Sequence, residues 1–269
     1  MRVLRWMALL MMAAAGPAFA QKAPLSEALH DLAPSGTLRA AINFGNSVLA
    51  QKGPDGAPRG VSVDLATELA TRLGVPVTLV PFEAAGKVFE GAKAGVWDVG
   101  FMAIEPVRAA EITFTAPYVI IEGTYMVRRD SPFTDVGDVD KPNIKIAVGL
   151  GSAYDLYLTR TIKSAELLRA RTGGGSAMIE MFVADRLDVA AGVRQQLDAY
   201  AKDHPEMRVM PGHFQEIRQA MGMPRVEGQP RAAGAAYLAD FVEEMKTSGF
   251  VAEALKRSGQ VAQVPPAGK

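Results

Sequence analysis

The sequence predicts an α/β fold in which mainly parallel sheets are flanked by helices. Three observations predict this class: short apolar runs alternate with amphipathic helical stretches, Gly and Pro mark the loops between them, and no repeat of fixed period occurs. Such alternation is typical of β-α-β units, in which a helix crosses the sheet between two parallel strands. The 269 residues are enough for one large hydrophobic core or two modest ones.

The first twenty residues form a separate segment. Arg2 and Arg5 precede the apolar run WMALLMMAAAG, and the small-x-small triplet AFA occupies positions 18–20. These are the parts of a cleaved secretory signal peptide, and the apolar run is shorter than the roughly 20 residues that span a bilayer. We therefore expect residues 1–20 to be removed and the mature chain to begin near Gln21 in the bacterial periplasm. The alternatives are a buried N-terminal helix and a membrane anchor.

The next part of the chain predicts a β-α-β unit. TLRAAINF (37–44) reads as a buried strand, and the Gly- and Pro-rich residues 51–60 read as a turn. In VSVDLATELATRLG, apolar residues recur every four positions, as in an amphipathic helix that Gly74 would cap. VPVTLVPF then predicts a strand, VFEGAKAG a helix and WDVGFMAI another strand.

The same alternation continues towards the C-terminus. IKIAVGL (144–150) predicts a strand that leads into the helical stretch SAYDLYLTRTI, whereas residues 131–143 predict a loop early in a second lobe. AAYLADFVEEMKTSGFVAEALKRSG predicts two amphipathic helices separated near Ser248 and Gly249. We expect the final residues, QVAQVPPAGK, to be frayed.

Composition excludes several kinds of protein. The chain has no Cys, which excludes disulfides, thiol catalysis and a lipid anchor on Cys. Its three histidines, His30, His204 and His213, lie far apart, which argues against a zinc site. Without the two arginines of the predicted signal peptide, 27 basic residues face 29 acidic ones, a net charge of −2. This charge argues against a nucleic-acid partner, and we expect no metal and no cofactor.

Two predicted strand ends are candidate anion-binding places, because loops and helix N-termini converge there in open α/β sheets. After DVGFMAI, Pro106 suits a first helical turn that would contain Arg108. After IKIAVGL, Gly151 permits close backbone approach and Ser152 can cap the helix. Both segments would offer free backbone N–H groups to an anion.

Arg108 and Ser152 would form a two-sided clamp if these strand ends faced each other. A planar guanidinium is well shaped for bidentate contact with a carboxylate. The alternative is that Arg108 pairs with Glu105 or Glu111 at helical spacing, as a solvated surface ion pair that contributes little. The local pattern alone leaves both possibilities open.

Four stretches of the sequence carry a resemblance to a known family. They are GVSVDLATELATRLG, WDVGFMAIEPVRAAEITFTAPYV, IAVGLGSAYDLYL and VADRLDVAAG. In this order and spacing, over about residues 37–259, they resemble the family 3 extracellular solute-binding proteins of ABC transporters, the polar amino-acid-binding type. The resemblance implies a type II periplasmic-binding-protein fold, in which two lobes, each a mixed, mainly parallel sheet flanked by helices, are joined by two hinge strands.

The resemblance also implies domain boundaries and a function. Lobe 1 would comprise residues 21–121 plus 219–269, and lobe 2 residues 122–218, with crossovers in YVIIEGTYMV and FQEIRQA. The protein would be a monomer without enzymatic activity. It would capture a small carboxylate-bearing solute, an amino acid or a related organic anion, between its lobes and deliver it to an inner-membrane ABC permease. Lobe closure would shift an open/closed equilibrium.

Binding residues can be carried over from the family by position. The arginine that binds the ligand carboxylate matches Arg108, and the hydroxyl donor from the other lobe matches Ser152, which follows Gly151. Further candidates lie in the first ligand-facing loop and after the fourth motif: Asn43, Phe44, Asn46 and Arg194.

The sequence departs from the family pattern at three further binding positions. The Asp that receives the ammonium of an α-amino acid falls at Val193, the hydroxyl residue five before the arginine is Ala103, and the Thr three before it is Glu105. Because a buried ammonium without a carboxylate is costly, two readings follow. Either Glu105 receives the ammonium, or the ligand is a small organic anion without an α-amino group.

Two other classes of function stay open. Periplasmic cyclohexadienyl dehydratases use the same fold on prephenate or arogenate, and Glu105 could be a general acid if the cleft raised its pKa. A sensory module would instead present its closed form to a separate receptor.

Overall fold

The computed structural model describes residues 25–172 and 174–268. The predicted signal peptide at residues 1–20 lies outside this range. Among the described residues, none of the helices combines the length and the apolar character needed to cross a membrane.

Helices and strands alternate along the chain, as the sequence predicts. The helices in the described part are α1 (Leu25–Leu32), α2 (Val61–Leu73), α3 (Ala85–Lys93), α4 (Pro106–Ala109), α5 (Ala153–Thr161), α6 (Gly174–Ala184), α7 (Arg194–Asp203), α8 (Ala232–Thr247) and α9 (Phe250–Arg257). The strands are β1 (Leu38–Asn43), β2 (Gln51–Lys52), β3 (Pro58–Arg59), β4 (Val77–Phe82), β5 (Val99–Ala103), β6 (Ile112–Arg128), β7 (Lys145–Gly149), β8 (Glu166–Ala170), β9 (Val189–Val193), β10 (Met207–Val209) and β11 (Gln215–Pro224).

Helix α2 shows how the local pattern produces one of these elements. Val61, Leu65, Leu69 and Leu73 are all buried, so the four-residue spacing places one apolar face against the sheet. The helix ends at Gly74, whose φ of 69° is left-handed, and the N–H of Gly74 bonds to carbonyls of the last turn. The predicted helix and its glycine cap are confirmed.

The main sheet has the order β4-β1-β5-β11-β6-β9-β7-β8, with β10 beside β6. Strands β4, β1 and β5 are parallel and form the first lobe with their helices, and β8, β7 and β9 are parallel in the second. Strand β11 is antiparallel to β5, and β6 is antiparallel to β9. The long strands β6 and β11 pair with each other and connect the lobes.

The structure extends one loop expectation and overturns another. Residues 51–60 contain the predicted turn, which connects the two strands of the short antiparallel hairpin of β2 and β3. The C-terminal tail, predicted to be frayed, is anchored: Gln263 pairs with Ile120 of β6, and the carbonyl of Pro266 accepts a hydrogen bond from Lys246. The tail lies along a strand that is distant in sequence, so its composition alone could not reveal this pairing.

We predict that Leu65→Ala costs about 2–5 kcal/mol of unfolding free energy, because it removes a fully buried side chain from α2. Urea denaturation followed by circular dichroism measures this loss. The matched control is Leu25→Ala, since Leu25 is 50% exposed and its truncation should cost about 0.5 kcal/mol or less. Equal losses in both variants would contradict the assignment of this helix face to the core.

Candidate functional site

The carboxyl ends of β5 and β7 face each other across the gap between the lobes. Helix α4 follows β5 and carries Arg108, while Gly151 and Ser152 follow β7. The Nη2 group of Arg108 donates to the carbonyl of Gly151 at 2.8 Å, so the two predicted segments meet directly. The structure therefore brings together the two halves of the predicted clamp.

A cavity of about 40 Å³ lies at this meeting point. Its polar lining residues are Asn43, Asn46, Arg108, Ser152, Tyr154 and Gln219. Its larger apolar lining residues are Met102, Leu150, Val193 and Ile217, beside small residues that include Ala103. Among the described residues that line it there is no Asp, Glu, His or Lys, so Arg108 supplies the charge of the cavity.

Arg108 is 1% exposed and is held by main-chain oxygens. Its Nη1 group donates to the carbonyl of Ala103 at 3.0 Å, within the same lobe, and its Nε–H has no hydrogen-bond partner among the described residues. Within that part of the chain Arg108 forms no salt bridge, because Glu105 pairs with Arg160 and Glu111 with Lys93. The alternative of a solvated surface ion pair is therefore wrong.

Burial destabilises the charged form of Arg108. Burial lowers the pKa of Arg108 to about 10, and the negative charge of Glu105 opposes part of this shift. The guanidinium is charged in the folded and the unfolded protein below pH 10. Its incompletely compensated burial then costs the folded state roughly 3 kcal/mol.

Ser152 caps helix α5 as the sequence predicts. Its hydroxyl oxygen accepts a hydrogen bond from the N–H of Asp155 at 3.0 Å, and its hydroxyl group also hydrogen-bonds with the phenol of Tyr154. The backbone of this loop is already paired: the N–H of Gly151 donates to Asp155 at 2.8 Å and the N–H of Ser152 to the carbonyl of Gly149. The expectation of free backbone donors is wrong at Gly151 and Ser152.

Two cavity residues were missed by sequence reasoning. Tyr154 is buried, which raises its pKa to about 12, so its phenol stays protonated at neutral pH and can donate. Gln219 lies on hinge strand β11, is 4% exposed, and its Oε1 has no partner among the described residues. Ile217 and Gln219 are two residues apart on β11, so the sequence indicates that their side chains lie on the same face of the strand. It does not indicate which face of the strand meets the cavity.

Glu105, a predicted site residue, is buried but is not among the residues that line the cavity. Its Oε1 accepts from Gln215 of the hinge at 2.8 Å, and its Oε2 forms an ion pair with Nη2 of Arg160 on α5 at 2.7 Å, without hydrogen-bond geometry. Because α4 and α5 belong to different lobes, this ion pair links the lobes. The carboxylate is thus engaged by the protein itself.

The remaining candidates divide into two groups. Asn43, Asn46 and Val193 line the cavity, although the side-chain oxygen of Asn46 also accepts from the N–H of Val48 and shapes a turn. Phe44 does not line it and lies beneath the ammonium of Lys52. Arg194 is also outside the lining.

The guanidinium of Arg194 lies at the hinge. It forms an ion pair with Glu122 and donates to the carbonyl of Gly212. Glu122 also lies 3.2 Å from Nδ1 of His213. In this conformation the Arg194 side chain is therefore held by residues of the hinge.

The lobes touch through bare backbone at two glycine pairs. A Cβ added to Gly151 would lie 2.9 Å from the Cα of Gly86, and one added to Gly174 would lie 2.5 Å from the Cα of Gly45. Gly151 and Gly174 come from the second lobe, Gly86 and Gly45 from the first. A side chain at these contacts would hold the lobes apart, so the described conformation is a closed one.

A protein-family model matches most of the chain. The model of the bacterial extracellular solute-binding proteins, family 3, matches residues 47–260. No curated protein sequence matches the chain at a significant level.

Solved structures match nearly the whole described fold. A mutant of ArgBP from T. maritima has a TM-score of 0.72 and 19% identity, over 86% of this chain and 99% of that one. A solute receptor for L-cysteine of Neisseria gonorrhoeae has a TM-score of 0.73 and 20% identity, over 86% and 92%. The ancestral amino acid-binding protein AncCDT-1, a precursor of cyclohexadienyl dehydratase, has a TM-score of 0.68 and 22% identity, over 87% and 98%. These likenesses confirm the predicted two-lobed fold class.

We predict that Arg108→Met leaves the unfolding free energy of the protein without added solute unchanged or raises it by up to about 3 kcal/mol, because it removes an uncompensated buried charge. Urea denaturation at pH 7 measures the difference. The control is Arg39→Met, which strands the buried carboxylate of Asp98 and should destabilise the protein. A loss as large as that of the control would contradict the view that Arg108 is unpaired.

We predict that Gly86→Ala hinders closure without weakening the fold, since its Cβ would lie 3.0 Å from the carbonyl oxygen of Leu150 across the cleft, while Ala favours helix α3 by up to about 1 kcal/mol. The chain has no Cys, so spin labels at Thr67→Cys and Thr161→Cys report the distance between the lobes.

The interlobe distance distribution should shift to longer values in the Gly86→Ala variant. Gly137→Ala is the control, because its Cβ would make only ordinary contact, 3.5 Å from Asp135. Identical distance distributions in the wild type, Gly86→Ala and Gly137→Ala would show that the glycine contact does not limit closure.

Proposed function

We propose that this chain, which belongs to the bacterial extracellular solute-binding proteins, family 3, captures a small carboxylate between its lobes and delivers it to an ABC permease. The observation that carries the proposal is the buried guanidinium of Arg108, which lines the cavity between the lobes with its Nε–H unpaired. The arginine and L-cysteine named for the structural relatives are ligands of those proteins.

A carboxylate is the anion that best fits this guanidinium. Its two oxygens can accept two parallel N–H bonds from one Arg, and the negative charge removes the cost of burying the cation. The hydroxyls of Ser152 and Tyr154, which hydrogen-bond each other and also line the cavity, can supply a neutral donor from the second lobe. The ligand would thereby bridge the lobes and favour the closed state.

The same cavity favours a ligand without an ammonium group. Val193 stands where the related α-amino-acid binders carry Asp, and Glu105 is engaged by Arg160 and Gln215. An ammonium in this cavity would be buried without a carboxylate, which is costly. Of the two readings of the sequence, we therefore propose the second, a small organic anion that lacks an α-amino group.

The permease would recognise the closed conformation. We place the lobe boundaries at residues 121/122 and 218/219, which is supported by the pairing of Ile121 with Ile217 and of Ile120 with Arg218 in the middle of β6 and β11. The glycine contacts and the Glu105–Arg160 pair form only when the lobes approach, so a bound solute shifts an equilibrium towards this state. A monomer in the periplasm, with residues 1–20 removed, suits this role.

We infer that capture proceeds without chemistry on the solute. A dehydratase needs a group that changes protonation near the substrate, and among the described lining residues the titratable groups are Arg108 and Tyr154. Burial holds the pKa of Tyr154 at about 12, so the phenol is not poised for proton transfer at neutral pH. Glu105, the acid of the alternative hypothesis, is paired with Arg160 outside the lining.

The proposal predicts which solutes stabilise the protein. The chain, expressed in full and purified from the periplasm, is screened by thermal shift against α-amino acids, their deaminated analogues, other small carboxylates and prephenate. A carboxylate with micromolar Kd, present at millimolar concentration, should stabilise it by about 4 kcal/mol. Arg108→Met should abolish the shift.

Each contrary outcome addresses one part of the proposal. A screen in which no carboxylate shifts the melting temperature, or in which Arg108→Met responds like the wild type, would overturn carboxylate capture. An α-amino acid that stabilises more than its deaminated analogue would overturn the absence of an ammonium site. Consumption of prephenate would overturn the binding role in favour of the enzyme.

A further inference from the structure

We propose that the solute is a 2-oxo carboxylate, an anion whose second polar group accepts hydrogen bonds and donates none. This inference rests on the proposed function, because it concerns the same cavity and the same anchor, Arg108. Three observations carry it. The side-chain amides of the cavity offer their nitrogens as free donors, two of these amides flank the strand that leads to Arg108, and the described lining contains one cation.

Two asparagines of the cavity have amides whose orientation is fixed by the backbone. Oδ1 of Asn43 accepts from the N–H of Gly45 at 3.0 Å, and Oδ1 of Asn46 accepts from the N–H of Val48 at 3.2 Å. An amide NH₂ group cannot accept such a bond, so the oxygen and the nitrogen of each amide are not interchangeable. Neither Nδ2 group is a fully buried atom, and neither donates to a described residue. Because both side chains line the cavity, we assign these free donors to it.

Gln219 adds a third amide that presents its nitrogen. The side chain lines the cavity and its Oε1 is buried, so the accessible atom of this amide is Nε2. Nε2 donates to none of the described residues. Together with the guanidinium of Arg108, the three amides give this side of the cavity a surface of N–H donors, which suits a ligand rich in acceptors.

The order of the sheet places two of these amides on either side of the anion site. Strand β5 leads into the turn that carries Arg108, and its neighbours in the sheet are β1 and β11. Asn43 ends β1, and Gln219 of β11 lies opposite Ala103, whose carbonyl holds Arg108. We therefore expect the carbon next to a bound carboxylate to lie near both amides, where an oxygen on that carbon would accept their N–H groups.

The charge of the cavity favours a neutral acceptor at this position. Arg108 is the one cation among the described lining residues, and the carboxylate of the solute neutralises it. A second carboxylate would be buried without a counter-charge, which is costly. An oxo oxygen carries no charge, and its two lone pairs can accept from two amides.

A solute group that must donate fits this lining less well. The ammonium of an α-amino acid brings three donors, and the hydroxyl of a hydroxy acid brings one. The oxygens of Asn43 and Asn46 already accept backbone N–H groups, and that of Gln219 is buried. The side-chain acceptors that remain are the hydroxyls of Ser152 and Tyr154, which the proposed function uses at the carboxylate. A donor beside the amides would therefore lose its hydrogen bond to water without a replacement.

The test uses solutes that differ only in the group next to the carboxylate. Calorimetry of the protein purified from the periplasm compares pyruvate with lactate, alanine and propionate. Two further series, built on the side chains of valine and phenylalanine, make the result independent of the size of the solute. In each series that binds, we expect the 2-oxo acid to bind roughly tenfold or more tightly than its 2-hydroxy, 2-amino and unsubstituted partners.

Two variants test the amides themselves. Gln219→Leu removes one donor at similar volume, so the preference for the 2-oxo over the unsubstituted acid should fall about threefold or more while the unsubstituted acid still binds. Gln229→Leu makes the same change at an exposed glutamine and should keep the preference. Asn43→Asp keeps an oxygen for the N–H of Gly45 but replaces the donor with a negative charge. It should lower the ratio of 2-oxo to 2-amino acid affinity by roughly tenfold.

The outcomes separate this inference from the proposed function. If carboxylates bind through Arg108 but no 2-oxo acid binds, or a partner acid binds as tightly as the 2-oxo acid, the present inference fails and carboxylate capture stands. If no carboxylate of any kind binds, the proposed function itself fails. Unchanged ratios in both Gln219→Leu and Asn43→Asp would overturn the role of the amides. Should one variant not fold, the other variant and the wild-type ratios decide the question.

Discussion

The closed structure depends on the burial of one positive charge at the seam between two lobes. Arg108 is held by the carbonyl of Ala103 from its own lobe and by that of Gly151 from the other, and among the described residues no carboxylate neutralises it. Main-chain oxygens orient a guanidinium but carry only partial charges, so its electrostatic cost is met incompletely. That deficit makes the site receptive to an anion, and it ties ligand binding to the approach of the lobes.

The interlobe contacts divide into those that a ligand can change and those that it cannot. The pair of Glu105 with Arg160 and the glycine contacts form between the lobes themselves, so they stabilise the closed state whatever the cavity contains. The burial of the Arg108 charge opposes closure, whereas its hydrogen bond to the carbonyl of Gly151 across the cleft favours it. The balance of these contributions sets the fraction of closed protein without solute. A bound solute can raise that fraction only by its difference in affinity for the closed and open states.

Much of the fold follows from local pattern, and much of the site does not. The four-residue spacing in α2 and the cap at Gly74 were predictable from short stretches. The local pattern left the role of Arg108 open, and its place opposite Gly151 and Ser152 was expected from the family resemblance. Tyr154 and Gln219 were missed, because their cavity position depends on how a helix start and a hinge strand are oriented in space. The pairing of Gly151 with Asp155 and of the tail with Ile120 likewise depends on geometry that composition does not encode.

The backbone contact between the lobes also has an evolutionary consequence. Gly45, Gly86, Gly151 and Gly174 form a docking surface at which a Cβ on Gly151 or Gly174 would lie less than 3.0 Å from the backbone of the other lobe. Ligand preference can then diverge by substitution at positions such as Val193 or Gln219 while the closing motion, and the shape shown to a transport partner, are inherited unchanged. Substitutions could then change which solute the chain binds without changing the surface that a permease recognises.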